Sequence, residues 1–165
     1  MTEIVSTVVY TSTHAVAGTL LLDSRMQDKL ASPLTEFIEL SDASIHRIAQ
    51  PSAEPLKAPH VATPKDSIEL IALDVDERSK MPGSMAKRQP KVGRPGLVIT
   101  EGIEIRGTVF LGVNNESPAT ALAKETSTFF AVTDAELRFT SSADLNVRTK
   151  VALVSMDKVT NLAFI

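Results

Sequence analysis

His14, His46 and His60 are the only imidazoles in this chain of 165 residues, and it contains no cysteine. Metal ligation by such side chains needs a second His or Cys at a short, fixed spacing. None of the three has one, so they read as exposed strand or loop residues. The stretch LDVDER places Asp74, Asp76 and Glu77 at the end of a β-rich run. Alternation along a strand puts Asp74 and Asp76 on one face, where carboxylates can hold a hard cation. A related stretch, MDKVTN, keeps only Asp157, so a solvated strand end is the better expectation. Asp42 and Asp134, each following Ser or Thr and preceding Ala, suit a bend in which an Asx side chain bonds its own backbone. The serines carry no Gly-x-Ser-x-Gly elbow, and no glycine-rich loop has a phosphate-binding pattern. These residues predict no catalysis, no metal and no cofactor.

Charge is distributed in blocks. Residues 1–77 hold 5 basic and 12 acidic side chains, residues 78–96 hold 6 basic and none acidic, and residues 97–165 hold 6 basic and 8 acidic. The middle segment, RSKMPGSMAKRQPKVGRPG, has three prolines, three glycines and no apolar periodicity, and reads as a solvated linker. Its Arg78, Lys80, Lys87, Arg88, Lys91 and Arg94 are the residues that would contact phosphates if the chain bound nucleic acid, and its GRP is similar to the core of minor-groove-binding arms. A second irregular stretch, QPSAEPLKAPHVATPK, spaces Pro51, Pro55, Pro59 and Pro64 four or five residues apart. That density excludes helix and central strand and predicts an extended, polyproline-like loop.

The elements that must position these residues recur. With Gly18 set on Gly107, VVYTSTHAVAGTLLL matches LVITEGIEIRGTVFL. FIELSDASIHR then matches FFAVTDAELRF, and IELIALD (Ile68 to Asp74) matches VALVSMD (Val151 to Asp157). Each block is short, β-rich and bounded by Gly, Pro, Ser or Asp, as strands are. Each half also holds one helix of one or two turns. In DSRMQDKLASPL, Asp23 or Ser24 is the candidate N-cap; in NNESPATALAKET, Pro118 suits the first turn. A glycine inside a strand costs stability relative to Ala, so its repetition at Gly18 and Gly107 points to a bend or a close backbone approach. The chain is therefore read as mainly β: a first small barrel over 1–77, a linker over 78–96 and a second barrel over 97–165. Closure is the simplest way for so small a sheet to avoid exposed edges.

The order of the blocks resembles the five-stranded barrel of the Sm-like family. In GTLLLDSRMQ, Gly18, Asp23 and Met26 echo that family's first motif, and SIELIAL echoes its closing strand. Gln27 stands where the family's motif has Asn, Gly112 replaces the Asp in the second half, and no Arg-Gly pair lies near Lys65. The resemblance thus implies barrel architecture rather than an RNA pocket. With one Tyr, six Phe and no Trp, the chain is poor in stacking residues, and both barrels are acidic. The expected function is non-enzymatic: a scaffolding protein that pairs through β-strand edges with its own copies or with other protein subunits, with RNA binding by the basic linker as the alternative. The expected location is cytoplasmic. MTEIVSTVVY lacks the basic start of a signal peptide, and no apolar run approaches a membrane span.

Overall fold

The computed structural model describes residues 3–22, 26–32, 34–74, 92–112 and 116–165. The first half contains β1 (Glu3–Tyr10), β2 (His14–Leu22), α1 (Met26–Ala31), β3 (Phe37–Arg47), β4 (Leu56–Pro64) and β5 (Leu70–Leu73). The second contains β6 (Gly93–Thr100), β7 (Ile103–Phe110), α2 (Pro118–Lys124), β8 (Phe129–Phe139), β9 (Ser142–Ser155) and β10 (Val159–Phe164). Every pairing is antiparallel, and all ten strands belong to one sheet ordered β10-β6-β7-β8-β9-β5-β1-β2-β3-β4.

That order is one pattern written twice. In each half the fifth strand lies beside the first, and the fourth lies at the far side. Tyr10 opposes Ala15 and Leu70, just as Ile99 opposes Glu104 and Asn161. The ladders therefore equate Leu70–Leu73 with Asn161–Phe164, and the tail NLAFI is the true counterpart of LIALD. The sequence match of Ile68–Asp74 to Val151–Asp157 is corrected accordingly. Both candidate segments are apolar, but only VALVSMD ends in Asp as IELIALD does, so composition points to the wrong one. What separates them is the single 3₁₀ turn that precedes each closing strand, Lys65–Ser67 in one half and Met156–Lys158 in the other.

The two five-stranded barrels are likewise replaced by one continuous sheet that does not close. Each half nevertheless curls strongly. Edges separated by four strand spacings would lie about 19 Å apart in a flat sheet. Only residues 65–69 join β4 to β5 across that distance. Lys65 N donates to Glu36 O at the foot of β3 (2.9 Å), and Glu69 N donates to Tyr10 O at the end of β1 (2.9 Å). The curl encloses a core in each half, and each core borrows from the other. Val5, Val9, Leu20, Leu40, Ile71 and Leu73 cluster with Phe129, Ala131, Val151 and Leu153, while Val98, Ile105, Val132 and Leu137 cluster with Tyr10, Leu70 and Ala72. Alternate residues of β5 and β9 thus serve opposite cores, which is why β5 is buried at all four positions.

Two further expectations change. The proline-rich stretch ends in a strand, β4, rather than a loop. Edge position explains the tolerance: Pro59 falls opposite Asp42, where the ladder to β3 skips a pairing, and Pro64 is the last residue. The linker also ends earlier than residue 96, because Gly93 to Gly96 pair with Phe110 to Gly107 in β6–β7. The helices are short and locally secured. Ser117 caps α2 by accepting from Thr120 N (3.2 Å), and Lys65 Nζ satisfies the carbonyls of Leu30 (2.6 Å) and Ser32 (3.1 Å) at the end of α1.

Candidate assembly interface

The seam between the halves is the β5–β9 ladder, with Leu70 opposite Val154, Ile71 opposite Leu153, Ala72 opposite Ala152 and Leu73 opposite Val151. Ser155 N donates to Glu69 O (3.0 Å), extending it by one residue. Glu69 is only 1% exposed. Its Oε1 accepts from Thr100 Oγ1 (2.6 Å) and Gly102 N (3.0 Å), both in the β6–β7 turn of the other half. Beyond the ladder, Lys150 Nζ lies 4.0 Å from Asp74, a solvent-exposed pair of little energetic weight. Helix α1 packs across the seam against β8, where Thr128 Oγ1 reaches Leu30 O (3.5 Å). Phe129, the first residue of β8, is consequently 5% exposed.

The sheet's two outer strands, β10 and β4, are the counterparts of β5 and β9, and among the described residues neither has an outer neighbour. Where Val151–Ser155 are all buried, residues 60–64 of β4 are mostly exposed. Where β5 is buried throughout, β10 is exposed or half-buried throughout. Phe37, which begins β3 as Phe129 begins β8, is 52% exposed, and Leu56 and Ile165 are 63% and 66% exposed. Helix α2 lies against β10, on the open side. The main-chain groups follow the same logic. In an antiparallel ladder they point alternately to either side. Because Glu69 O faces β9, the N–H and C=O groups of Thr160, Leu162 and Phe164 face outward from β10, and those of His60 and Ala62 face outward from β4.

No known family, curated protein or solved structure matches the chain.

The residues singled out in the sequence fall into three groups. Gly18 and Gly107 each face a β-bulge: Ala17 pairs with Ser44 and Thr19 with Ser41, while Arg106 pairs with Glu136 and Thr108 with Thr133. Two residues, Asp42 and Ala43 or Asp134 and Ala135, therefore oppose one glycine. A Cβ at Gly18 would stand 2.8 Å from Ser41 O, and one at Gly107 would stand 2.7 Å from Thr133 O. Asp42 and Asp134 are the bulged residues, with φ of 48° and 49°. Asp is among the few side chains that visit this left-handed region. The Gly and the Asp are thus the two sides of one device.

Arg94 forms a second group by itself. It lies in β6 with its guanidinium carbon 3.4 Å from the centre of the Phe164 ring, and its Nη1 donates to Glu116 O (2.9 Å). It braces β10 rather than projecting as a phosphate contact. Arg78, Lys80, Lys87, Arg88 and Lys91, together with Asp23, Asp76 and Glu77, lie outside the described residues.

The remaining polar groups serve local roles. His14 Nδ1 is 2.7 Å from Thr13 Oγ1, and His60, exposed on β4, lies 3.7 Å from Glu39. Among the described residues no group of three His, Asp or Glu side chains is placed to hold a metal, and no helix is long and apolar enough to cross a membrane. Burial pushes the Tyr10 hydroxyl up to about 12. The Glu136 carboxyl is held below its ordinary value, chiefly by the hydrogen bond from Arg138. Missing from the sequence reading were Glu69 and the exposure of Phe37. Phe37 and Phe129 align in sequence, but only the structure reveals that one is covered and the other is not.

Proposed function

We propose that the chain is a non-enzymatic structural protein that assembles head to tail, each half acting as a Sm-like unit and β10 of one copy pairing with β4 of the next. The observation that carries this reading is the contrast between Phe129, 5% exposed beneath α1, and Phe37, 52% exposed at the same strand position. A second copy would bring α2 over Phe37 as α1 covers Phe129. The register follows from the seam: Asn161 opposite Thr63, Leu162 opposite Ala62, Ala163 opposite Val61 and Phe164 opposite His60. The residues just beyond the ladder suit it as well. Lys150 and Asp74 at the seam are replaced by Pro59 and Ile165 at the outer edges, so both members change from charged to apolar together. The repeated strand order, with the closing strand beside the first, supports the Sm-like reading of each half. Such a contact is heterologous, and it closes into a ring or extends as a filament according to the rotation per step.

Light scattering at micromolar concentration tests the proposal. The expected mass is a multiple of 17.7 kDa. Leu162→Pro, which removes an outward N–H at an edge position that tolerates proline, should reduce the mass to one chain while leaving the circular dichroism unchanged. A parent protein that is monomeric throughout would overturn the reading.

A further inference from the structure

The seam and the outer edges share a pattern but differ in chemistry at the end nearest the 3₁₀ turns. Glu69, immediately before β5, corresponds to Thr160 in β10. Thr160 satisfies itself by donating to Ile99 O within its own half (3.0 Å), whereas Glu69 reaches into the other half. Its Oε2 is buried and has no hydrogen-bond partner among the described residues. A half-satisfied buried carboxylate is a poor way to stabilise a fold, since an unpaired buried polar atom costs about 1–3 kcal/mol. In some proteins buried polar groups of this kind fix which partner is accepted.

The receiving turns differ in a matching way. Gly102 occupies the position that Thr13 holds in the β1–β2 turn. A Cβ built on Gly102 would lie 3.4 Å from both Glu69 Oε2 and Ser12 O, already at van der Waals contact, so it is the further atoms of a branched side chain that would press on the carboxylate. Ser155, whose N–H bonds Glu69 O, corresponds to Pro64, which has no N–H. A β5 strand offered to a β4 edge would therefore lose a main-chain bond and meet Thr13. A β10 strand offered to β9 would leave Gly102 N and Thr100 Oγ1 without the carboxylate.

We propose that Glu69 and the Thr100–Gly102 turn form a latch that decides which half pairs with which. Resting on the head-to-tail reading, it makes β5 accept only β9 and β10 accept only β4, so that first and second halves alternate along any assembly, whichever chain each comes from.

Transplanting the latch into the outer junction tests it in the full chain. Thr160→Glu alone should raise the concentration at which the assembly dissociates by about tenfold or more, because the new carboxylate meets Thr13 of the next copy. Adding Thr13→Gly should restore dissociation to near the parent value, since Thr11 Oγ1 and the residue 13 N–H then stand where Thr100 Oγ1 and Gly102 N stand at the seam. A double variant no better than Thr160→Glu alone overturns the latch while leaving head-to-tail assembly intact. A monomeric parent overturns the assembly reading, and the latch is then judged within one chain. Gly102→Thr should lower the melting temperature, and adding Glu69→Thr should recover part of that loss; no recovery refutes it.

Discussion

Replacing Phe37 by Ala separates folding from assembly. In a single chain the Phe37 ring is 52% exposed, whereas Phe129 at the matching position is 5% exposed. If docking of a second copy covers Phe37 to the same degree, each junction removes nearly half of the ring's surface from water, roughly 100 Å² for a side chain of this size. At about 25 cal/mol per Å² this contributes about 2.5 kcal/mol per junction, or about 70-fold in the dissociation constant. The same substitution should disturb folding far less than Phe129→Ala, which empties a core site and should cost about 3–5 kcal/mol. Sedimentation across a dilution series measures the first effect, and denaturant unfolding of dilute protein measures the second. Equal dissociation of Phe37→Ala and the parent would refute the argument. So would a loss of folding stability as large as that of Phe129→Ala.

Two other outcomes follow from packing and titration. Gly18→Ala and Gly107→Ala should each lower unfolding stability by about 1–3 kcal/mol, because a Cβ at 2.8 Å or 2.7 Å from a backbone carbonyl forces the bulge apart; an unchanged denaturation midpoint would contradict this. Tyr10 is the only tyrosine, and there is no Trp, so phenolate absorbance follows this one group. Its hydroxyl is raised from 10.0 to about 12 by burial, so the neutral form favours the fold. The stabilisation is complete below pH 10 and is lost as the pH rises from 10 through 12, amounting to roughly 3 kcal/mol. Tyr10→Phe, which keeps the ring contact with Phe139, should flatten that stretch of the stability profile; a midpoint near 10 for the folded protein would contradict the burial argument.

Much of the strand pattern is visible in the sequence because local rules govern it. The Gly-Thr pair recurs at Gly18 and Gly107, and the Asp at 42 and 134, because each bulge needs one residue without a Cβ facing one that accepts positive φ. The second short helix is marked in the sequence by Pro118, which falls in its first turn. What the sequence hides is non-local. Pro59 and Pro64 argue against a strand until the neighbour on one side is known to be absent. The third block was matched to the wrong segment because VALVSMD shares the closing Asp of IELIALD and NLAFI does not, and only pairing partners reveal the true counterpart. Closed barrels were the natural expectation for small sheets, yet the closing strand of the first half finds its partner in the second. Glu69 looks like an ordinary strand-end carboxylate; its role depends on a turn some thirty residues away in sequence.

The seam also has a temporal consequence. Leu70–Leu73 are buried on both faces only when Val151–Val154 lie beside them, and about eighty residues separate the two strands. At about 5–20 residues per second, a ribosome takes roughly 4–16 s to make that stretch. During this interval the nascent chain carries a wholly apolar strand that is paired with β1 on one side and open on the other. Exchange of halves between neighbouring nascent chains is the misassembly to which this interval exposes the sheet, a characteristic failure mode of repeat proteins.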